Sequence, residues 1–263
     1  MATQNVGTVP LPRITGHRGA AALAPENTLV SIARAAAVGA KMVEVDVKLT
    51  ADGIPILLHD DTVDRTTNGH GAAADLTHAE INVLDAGSWF SKEFAEEMVP
   101  TLEACLRLAR QLKIGLNLEI KPNPGQDAET TRATIDQLRL AWPETNSISA
   151  TETENTVLLT SFSREALETA AAYGAEYPRG LLLWDPPDDW REAAQSLTCC
   201  AIIVRKDIDQ SLAGHILEAG LQLASYTIND IDHARRLASY GIESIITDRP
   251  DSLIDRQNFI FSD

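Results

Sequence analysis

Between residues 42 and 48 the side chains alternate strictly, with Val43, Val45 and Val47 on one parity and Glu44, Asp46 and Lys48 on the other. A second segment repeats the design, setting Leu116, Leu118 and Ile120 against Asn117, Glu119 and Lys121. Alternation of period two marks a β-strand whose two faces meet different surroundings. If both strands belong to one barrel, with the apolar sets against a helix layer, then Glu44, Asp46 and Glu119 converge on the inside. Three carboxylates cannot all stay ionised in a partly desolvated interior, so either their pKa values rise or a cation binds among them. An all-oxygen donor set points to one divalent cation, Mg²⁺ or Ca²⁺, rather than zinc. Most acids sit on the surface paired with lysines, but here two strands put them on the same expected inner face. Lys121 would partly neutralise the cluster and could also touch an anionic substrate.

Basic and imidazole groups gather at the same end. The first apolar run closes in Gly16-His17-Arg18-Gly19. There Arg18 can hold phosphate oxygens with its planar fork, and His17 is of the residue type best suited to moving a proton. A second histidine, His59, follows an Asp52-Gly53 pair set between apolar runs, which reads as a two-residue hairpin turn and places His59 directly across from Asp46. Two histidines converging on one acidic cluster form a catalytic constellation. Tyr226, at the end of a later strand, is expected to meet the substrate or simply to line the barrel. Glu26-Asn27-Thr28 reads as the opening of a helix, and His70, His78, His215 and His233 are expected to face solvent.

These residues need a scaffold that presents strand ends side by side. Apolar runs around Ile14, 42–47, 115–120, 157–159, 180–183, 201–204, 221–226 and 244–246 read as eight strands. Amphipathic stretches at 27–38, 102–112, 128–140, 164–173, 189–197, 210–219 and 231–239 separate most of them, and Gly39, Gly174, Gly220 and Gly241 follow like helix stops. The alternation predicts an α/β fold, a (β/α)8 TIM barrel, in one domain spanning 1–263. Residues 49–100 are too long for an ordinary strand-to-helix loop and are expected to form an inserted cap after strand 2, over the mouth.

Composition narrows the partners. The 263-residue chain is 44% hydrophobic and 23% charged, enough to build one sizeable core. Its formal net charge of −16 opposes nucleic acid and anionic membranes, so an anionic substrate needs a local focus of cations. The opening residues 1–12 do not read as a signal peptide and no run is long enough to span a bilayer, which predicts a cytoplasmic protein with no membrane insertion. Cys105, Cys199 and Cys200 have no ligand-like spacing and are expected as free thiols. A homo-oligomer is compatible with everything above.

In order along the chain, His17-Arg18-Gly19, Pro25-Glu26-Asn27-Thr28, Glu44-Val45-Asp46, His59-Asp60, Arg65-Thr66-Thr67, Glu119-Ile120-Lys121 and Thr247-Asp248-Arg249-Pro250 resemble the glycerophosphodiester phosphodiesterase family, most closely its cytosolic bacterial members. The resemblance implies a capped barrel that binds a divalent cation on Glu44, Asp46 and Glu119 and uses His17 and His59 in acid–base catalysis. It further implies a small-molecule glycerophosphodiester substrate whose glycerol 2-hydroxyl attacks phosphorus, leaving a cyclic phosphate that water opens to sn-glycerol 3-phosphate. His17 is assigned as the first base and His59 as the acid, with Arg18 and Lys121 on the phosphate. Val204-Arg205-Lys206 is more basic than the family pattern and is expected to favour acidic headgroups over choline. Two other readings compete: a lipid phosphodiesterase of the lysophospholipase D or sphingomyelinase D type, and a non-catalytic, metal-dependent ligand-binding barrel.

Overall fold

The computed structural model describes residues 9–142 and 156–262. The period-two runs become β1 (Ile14–Gly16), β2 (Met42–Leu49), the short β3 (Pro55–Leu57), β4 (Gly115–Ile120), β5 (Val157–Ser161), β6 (Arg179–Leu183), β7 (Ala201–Arg205), β8 (Gln222–Tyr226) and β9 (Ser244–Thr247). The hydrogen-bonded order is β1-β9-β8-β7-β6-β5-β4-β2-β3, and β1 also pairs with β2, which closes the barrel. All these pairings are parallel except that of β3 with β2. The eight strands expected from the sequence are therefore the eight parallel staves, and the TIM barrel is confirmed.

Between the strands run α1 (Leu29–Ala37), α2 (His78–Ile81), α3 (Leu102–Leu112), α4 (Asp127–Ala141), α5 (Arg164–Tyr173), α6 (Trp190–Ser196), α7 (Gln210–Glu218) and α8 (Ile231–Ser239), and α9 (Pro250–Ile254) and α10 (Gln257–Ile260) follow β9. Side chains of Thr28, Thr101, Ser163, Asp209 and Asp230 accept hydrogen bonds from backbone N–H groups of the first turn, so α1, α3, α5, α7 and α8 begin where short polar residues cap orphan donors, whereas α4 has no side-chain cap. Gly39, Gly220 and Gly241 end helices in the left-handed region, as expected. Gly174 does not, since it caps α5 with φ −134.

The two parities of the strands separate as predicted. Val43, Val45, Val47, Leu116, Leu118 and Ile120 pack outward with Ile32, Leu102, Leu106 and Ile135 from the helices. Inside the barrel the contents divide. Leu158, Leu182, Ala201, Ile203, Ala224 and Ile246 make an apolar cluster, whereas Glu44, Asp46, Asn117 and Glu119 make the β2–β4 side polar. All three cysteines are buried and free.

One expectation is corrected. β2 is longer than its neighbour β1, and its free end is where β3 attaches. The register pairs Val47 with Leu57, Lys48 with Ile56 and Leu49 with Pro55, and Leu58 N donates to Asp46 O at 3.1 Å. Asp46 thus faces Leu58, not His59. The cause is a three-residue loop: Gly53, at φ 76, donates to Thr50 O at 3.0 Å, and Thr50 N donates to Ile54 O at 3.1 Å. A left-handed glycine closing a tight turn inserts the extra residue. A pleat continued at this register would turn residue 59 away from Asp46. β3 instead ends at Leu57, which frees the chain to bring His59 back to the mouth. The segment 49–100 carries its own apolar cluster, in which Ile56, Leu58, Val63, Ala73, Ile81, Ala86 and Val99 pack together.

Candidate active site

Glu44, Asp46 and Glu119 present carboxylate oxygens within 4.8 Å of one another, and all three residues are buried. Register explains the meeting, because Asp46 and Glu119 are direct partners across the β2–β4 pair, and Glu44 sits two residues below Asp46. The electrostatics are those of carboxylates that could hold a cation. Burial, then the neighbouring Asp46 and Glu119, drives the Glu44 carboxyl well above the ordinary range. Burial and Asp46 push Glu119 up to about 7. Burial also opposes ionisation of Asp46, but Arg18, Lys121 and the hydrogen bond from Asn27 hold it below its usual value. Glu44 Oε1 and Asp46 Oδ1 are buried with no hydrogen-bond partner among the described residues. Two unpartnered oxygens beside a third carboxylate fit a hard divalent ion.

Basic groups frame the acids. Arg18 N donates to Glu44 Oε2 at 3.0 Å, and Arg18 Nη1 donates to Glu26 Oε1 at 2.6 Å. Its Nε lies 3.2 Å from Asp46 Oδ2, off the hydrogen-bonding direction and so left without a partner. Lys121 Nζ donates to Glu119 Oε1 at 2.9 Å and lies 3.7 Å from Asp46 Oδ1. The turn carrying His17 and Arg18 needs its glycines, since a Cβ on Gly16 would strike the carbonyl of Gly19, and one on Gly19 would strike the backbone of Ser31. Arg18 itself is left-handed at φ 48, a conformation in which non-glycine residues store strain.

Each histidine is held by its own aspartate. His17 Nδ1 meets Asp248 Oδ1 at 2.6 Å, and His59 Nδ1 meets Asp60 Oδ1 at 2.7 Å. An ionised carboxylate only accepts, so both rings carry Nδ1–H and keep Nε2 free. His17 Nε2 lies 3.9 Å from Glu44 Oε2. Burial, together with Arg18 and Lys121, lowers the His59 pKa despite the pull of Asp46 and Asp60. Both histidines line one cavity with Arg18, Glu119, Lys121, Phe162, Trp184, Arg205, Lys206 and Tyr226. The cavity opens at the carboxyl ends of the strands, the end from which β/α barrels work.

A family model for the glycerophosphoryl diester phosphodiesterase family matches residues 17–252, nearly the whole of this arrangement. The chain belongs to that family. As a glycerophosphodiester phosphodiesterase it is a hydrolase. YhdW of Bacillus subtilis (strain 168) is 34% identical over 92% of this chain and 96% of its own length. The glycerophosphodiester phosphodiesterase of Caldanaerobacter subterraneus is 32% identical over the same two shares, 92% and 96%. Among solved structures, the Oleispira antarctica phosphodiesterase in complex with its product sn-glycerol 3-phosphate superposes with a TM-score of 0.89 and 35% identity, covering 94% of this chain and 97% of that one.

In this phosphodiesterase six of the eight residues singled out from the sequence line the cavity, and the other two, Glu44 and Asp46, are buried beside Glu119. Tyr226 lines the cavity edge-on to Phe162, with ring centroids 6.0 Å apart, and burial raises its phenol pKa. Arg205 lines it too, but lies 3.6 Å from both Asp185 and Asp207 and over the Trp184 ring, so much of its charge is already met. Glu26 and Asn27 do more than open α1. Asn27 Nδ2 donates to Asp46 Oδ2 at 2.8 Å, while Asp46 N donates to Asn27 Oδ1 at 3.2 Å; of the three residues only Thr28 is the cap. His70 and His215 are exposed as expected, whereas His78 and His233 are half-buried, the latter bonded through Nε2 to Lys206 O. Asp60, Arg65 and Asp248 stand in the motifs that carry the family resemblance but had no role assigned from the sequence, and Asn229 lies outside those motifs. Asp60 adjoins His59 in sequence, but Asp248 meets His17 only because β9 pairs with β1. No helix of the described residues is long and apolar enough to cross a membrane.

Proposed function

We propose that the protein hydrolyses small glycerophosphodiesters to sn-glycerol 3-phosphate and an alcohol, with one Mg²⁺ or Ca²⁺ held by Glu44, Asp46 and Glu119. The observation that carries this reading is the pair of aspartate-oriented histidines flanking a buried carboxylate trio in a single cavity. When bound, the cation would supply a Lewis acid for a phosphate oxygen and a substrate hydroxyl. Arg18 and Lys121 grip the phosphate and offset the negative charge that grows on its oxygens. His17 Nε2 takes the proton of the glycerol 2-hydroxyl as that oxygen bonds to phosphorus. His59 enters this step as the imidazolium, with protons on both ring nitrogens, and gives its Nε2 proton to the departing alkoxide as the old phosphorus–oxygen bond breaks. The cyclic phosphate is then opened by water as the histidines reverse roles, returning the proton to the 2-oxygen. Residues 49–100 act as a cap that carries His59 to the mouth, and Tyr226 forms part of the wall against which substrate lies. Arg205 and Lys206 face the same space and bias it toward acidic headgroups over choline.

The test is release of glycerol 3-phosphate from glycerophosphoglycerol, glycerophosphoinositol and glycerophosphocholine, with chelator and with added Mg²⁺ or Ca²⁺. Turnover of the small diesters that stops with chelator is expected. Cleavage confined to a long-chain lysophospholipid would instead favour a lipid phosphodiesterase, and binding without turnover would leave a ligand-binding barrel.

A further inference from the structure

Arg65 is not among the residues lining the cavity, yet it grips two acids that each control a site residue. Its Nε and Nη2 donate to Asp60 at 2.6 and 3.1 Å. Its Nη1 and Nη2 donate to the two oxygens of Glu26, both at 2.8 Å. Asp60 in turn holds His59 Nδ1 at 2.7 Å, and Glu26 accepts from Arg18 at 2.6 Å. One guanidinium therefore ties the 49–100 segment to the loop before α1.

The two histidine–aspartate pairs are alike at the ring and unlike behind it. Asp248 is backed by a neutral amide, Asn229 Nδ2 at 2.7 Å, whose own oxygen accepts from the Thr247 hydroxyl and from Asp248 N. Asp248 also follows directly on β9 and is placed by the barrel itself. His59 and Asp60 lie beyond the end of β3, and neither makes a backbone hydrogen bond to another described residue. Side chains must supply the order that the ladder does not.

We propose that Arg65 is a positioning residue for His59: its planar fork fixes the Asp60 carboxylate, and through it the imidazole, with Nε2 directed at the leaving oxygen. The second fork, on Glu26, anchors that unit to the barrel. The role is one of geometry more than of stability, since the Arg65 side chain is 44% exposed and ion pairs so exposed contribute little to folding. A lysine offers one ammonium in place of a fork and cannot serve both acids in the same plane.

This inference rests on the reading of His59 as general acid, and the experiment separates the two. kcat and KM are measured for wild type, Arg65→Met, Arg65→Lys, His59→Ala and the Arg65→Met/His59→Ala double variant. Each is assayed with an alkyl glycerophosphodiester and with a nitrophenyl one whose leaving group needs no proton, alongside a thermal melt. Arg65→Met is expected to lose about ten- to a hundred-fold in kcat on the alkyl substrate with KM nearly unchanged, and to recover most of it on the nitrophenyl one. Arg65→Lys should show the same loss, and removing Arg65 should cost nothing further once His59 is gone. Equal losses on both substrates, rescue by lysine, or an undiminished loss in the His59→Ala background would each overturn the proposal. If His59→Ala shows the leaving-group selectivity and Arg65→Met does not, the Arg65 role alone fails; if His59→Ala shows none, the acid reading fails and this inference with it. Asp60→Asn breaks the same link from the other side while sparing the Glu26 pair, and must reproduce the pattern even should Arg65→Met not fold.

Discussion

At the scale of single residues, the chemistry depends on which atom of each ring is kept free. Asp248 stays ionised although burial works against it, because the hydrogen bonds from His17 and Asn229 and the nearby charges outweigh desolvation. That carboxylate accepts a hydrogen bond from His17 Nδ1–H and so leaves Nε2 as the atom for the proposed proton transfer. An asparagine in its place could donate to Nδ1 and select the opposite tautomer, with nearly unchanged shape. Asp248→Asn is therefore expected to lower kcat by about 10²- to 10⁴-fold while KM stays within a few-fold, as read from steady-state kinetics on a glycerophosphodiester. A loss confined to KM would mean that Asp248 serves binding and not proton transfer.

At the scale of elements, the overhang of β2 beyond β1 is what gives β3 an edge to pair with, and the three-residue loop sets how the chain leaves that pairing. Gly53 takes φ 76 there, and no atom lies within 4 Å of where its Cβ would be. Gly53→Ala thus meets no clash and pays only the cost of left-handed backbone, about 1 kcal/mol. The urea midpoint should fall accordingly while kcat stays within about twofold, because residue 53 lies at the end of the hairpin far from His59. An unchanged midpoint would show that the loop does not need a left-handed residue. Lys48 illustrates the same joint from inside: its side chain is 0% exposed, yet its ammonium reaches Asp61, beyond β3, at 2.9 Å.

At the scale of the whole molecule, the proposed cation would compete with protons for the acidic cluster. Glu119 is raised from 4.5 to about 7 and Glu44 is raised well above 4.5, so without a cation the folded chain holds protons that the unfolded chain has already released. Stability contributed by these two groups is present below the ordinary glutamate range and is lost as pH rises toward and past neutrality. A divalent ion bound among these carboxylates would take the place of those protons. Adding Mg²⁺ or Ca²⁺ to chelated protein should therefore raise Tm more at pH 8 than at pH 5.5, by a difference on the order of 2 kcal/mol in stability at saturating ion. Equal shifts at the two pH values, followed by calorimetry, would dissociate the cluster from ion binding. The surplus of 38 acidic over 22 basic residues makes the local gathering of Arg18, Lys121, Arg205 and Lys206 the feature that admits an anionic substrate.

Legibility followed range. Periodicity is local, so the residues between 42 and 48 and between 115 and 121 already declared two strands, the inward parity of Glu44, Asp46 and Glu119, and the barrel that such alternation with helices requires. His17, Arg18 and His59 were readable because few other residue types can move protons or grip phosphate. The hairpin register was not, since Asp52-Gly53 suits a two-residue or a three-residue turn and only hydrogen bonding around Thr50 decides between them. Nor was the partnering of His17 with Asp248, 231 positions apart, or of Arg65 with Glu26, 39 apart. Those contacts exist only once β9 closes on β1 and the chain after β2 folds back through β3, because hydrogen bonds act over ångströms while the sequence records only order along the chain.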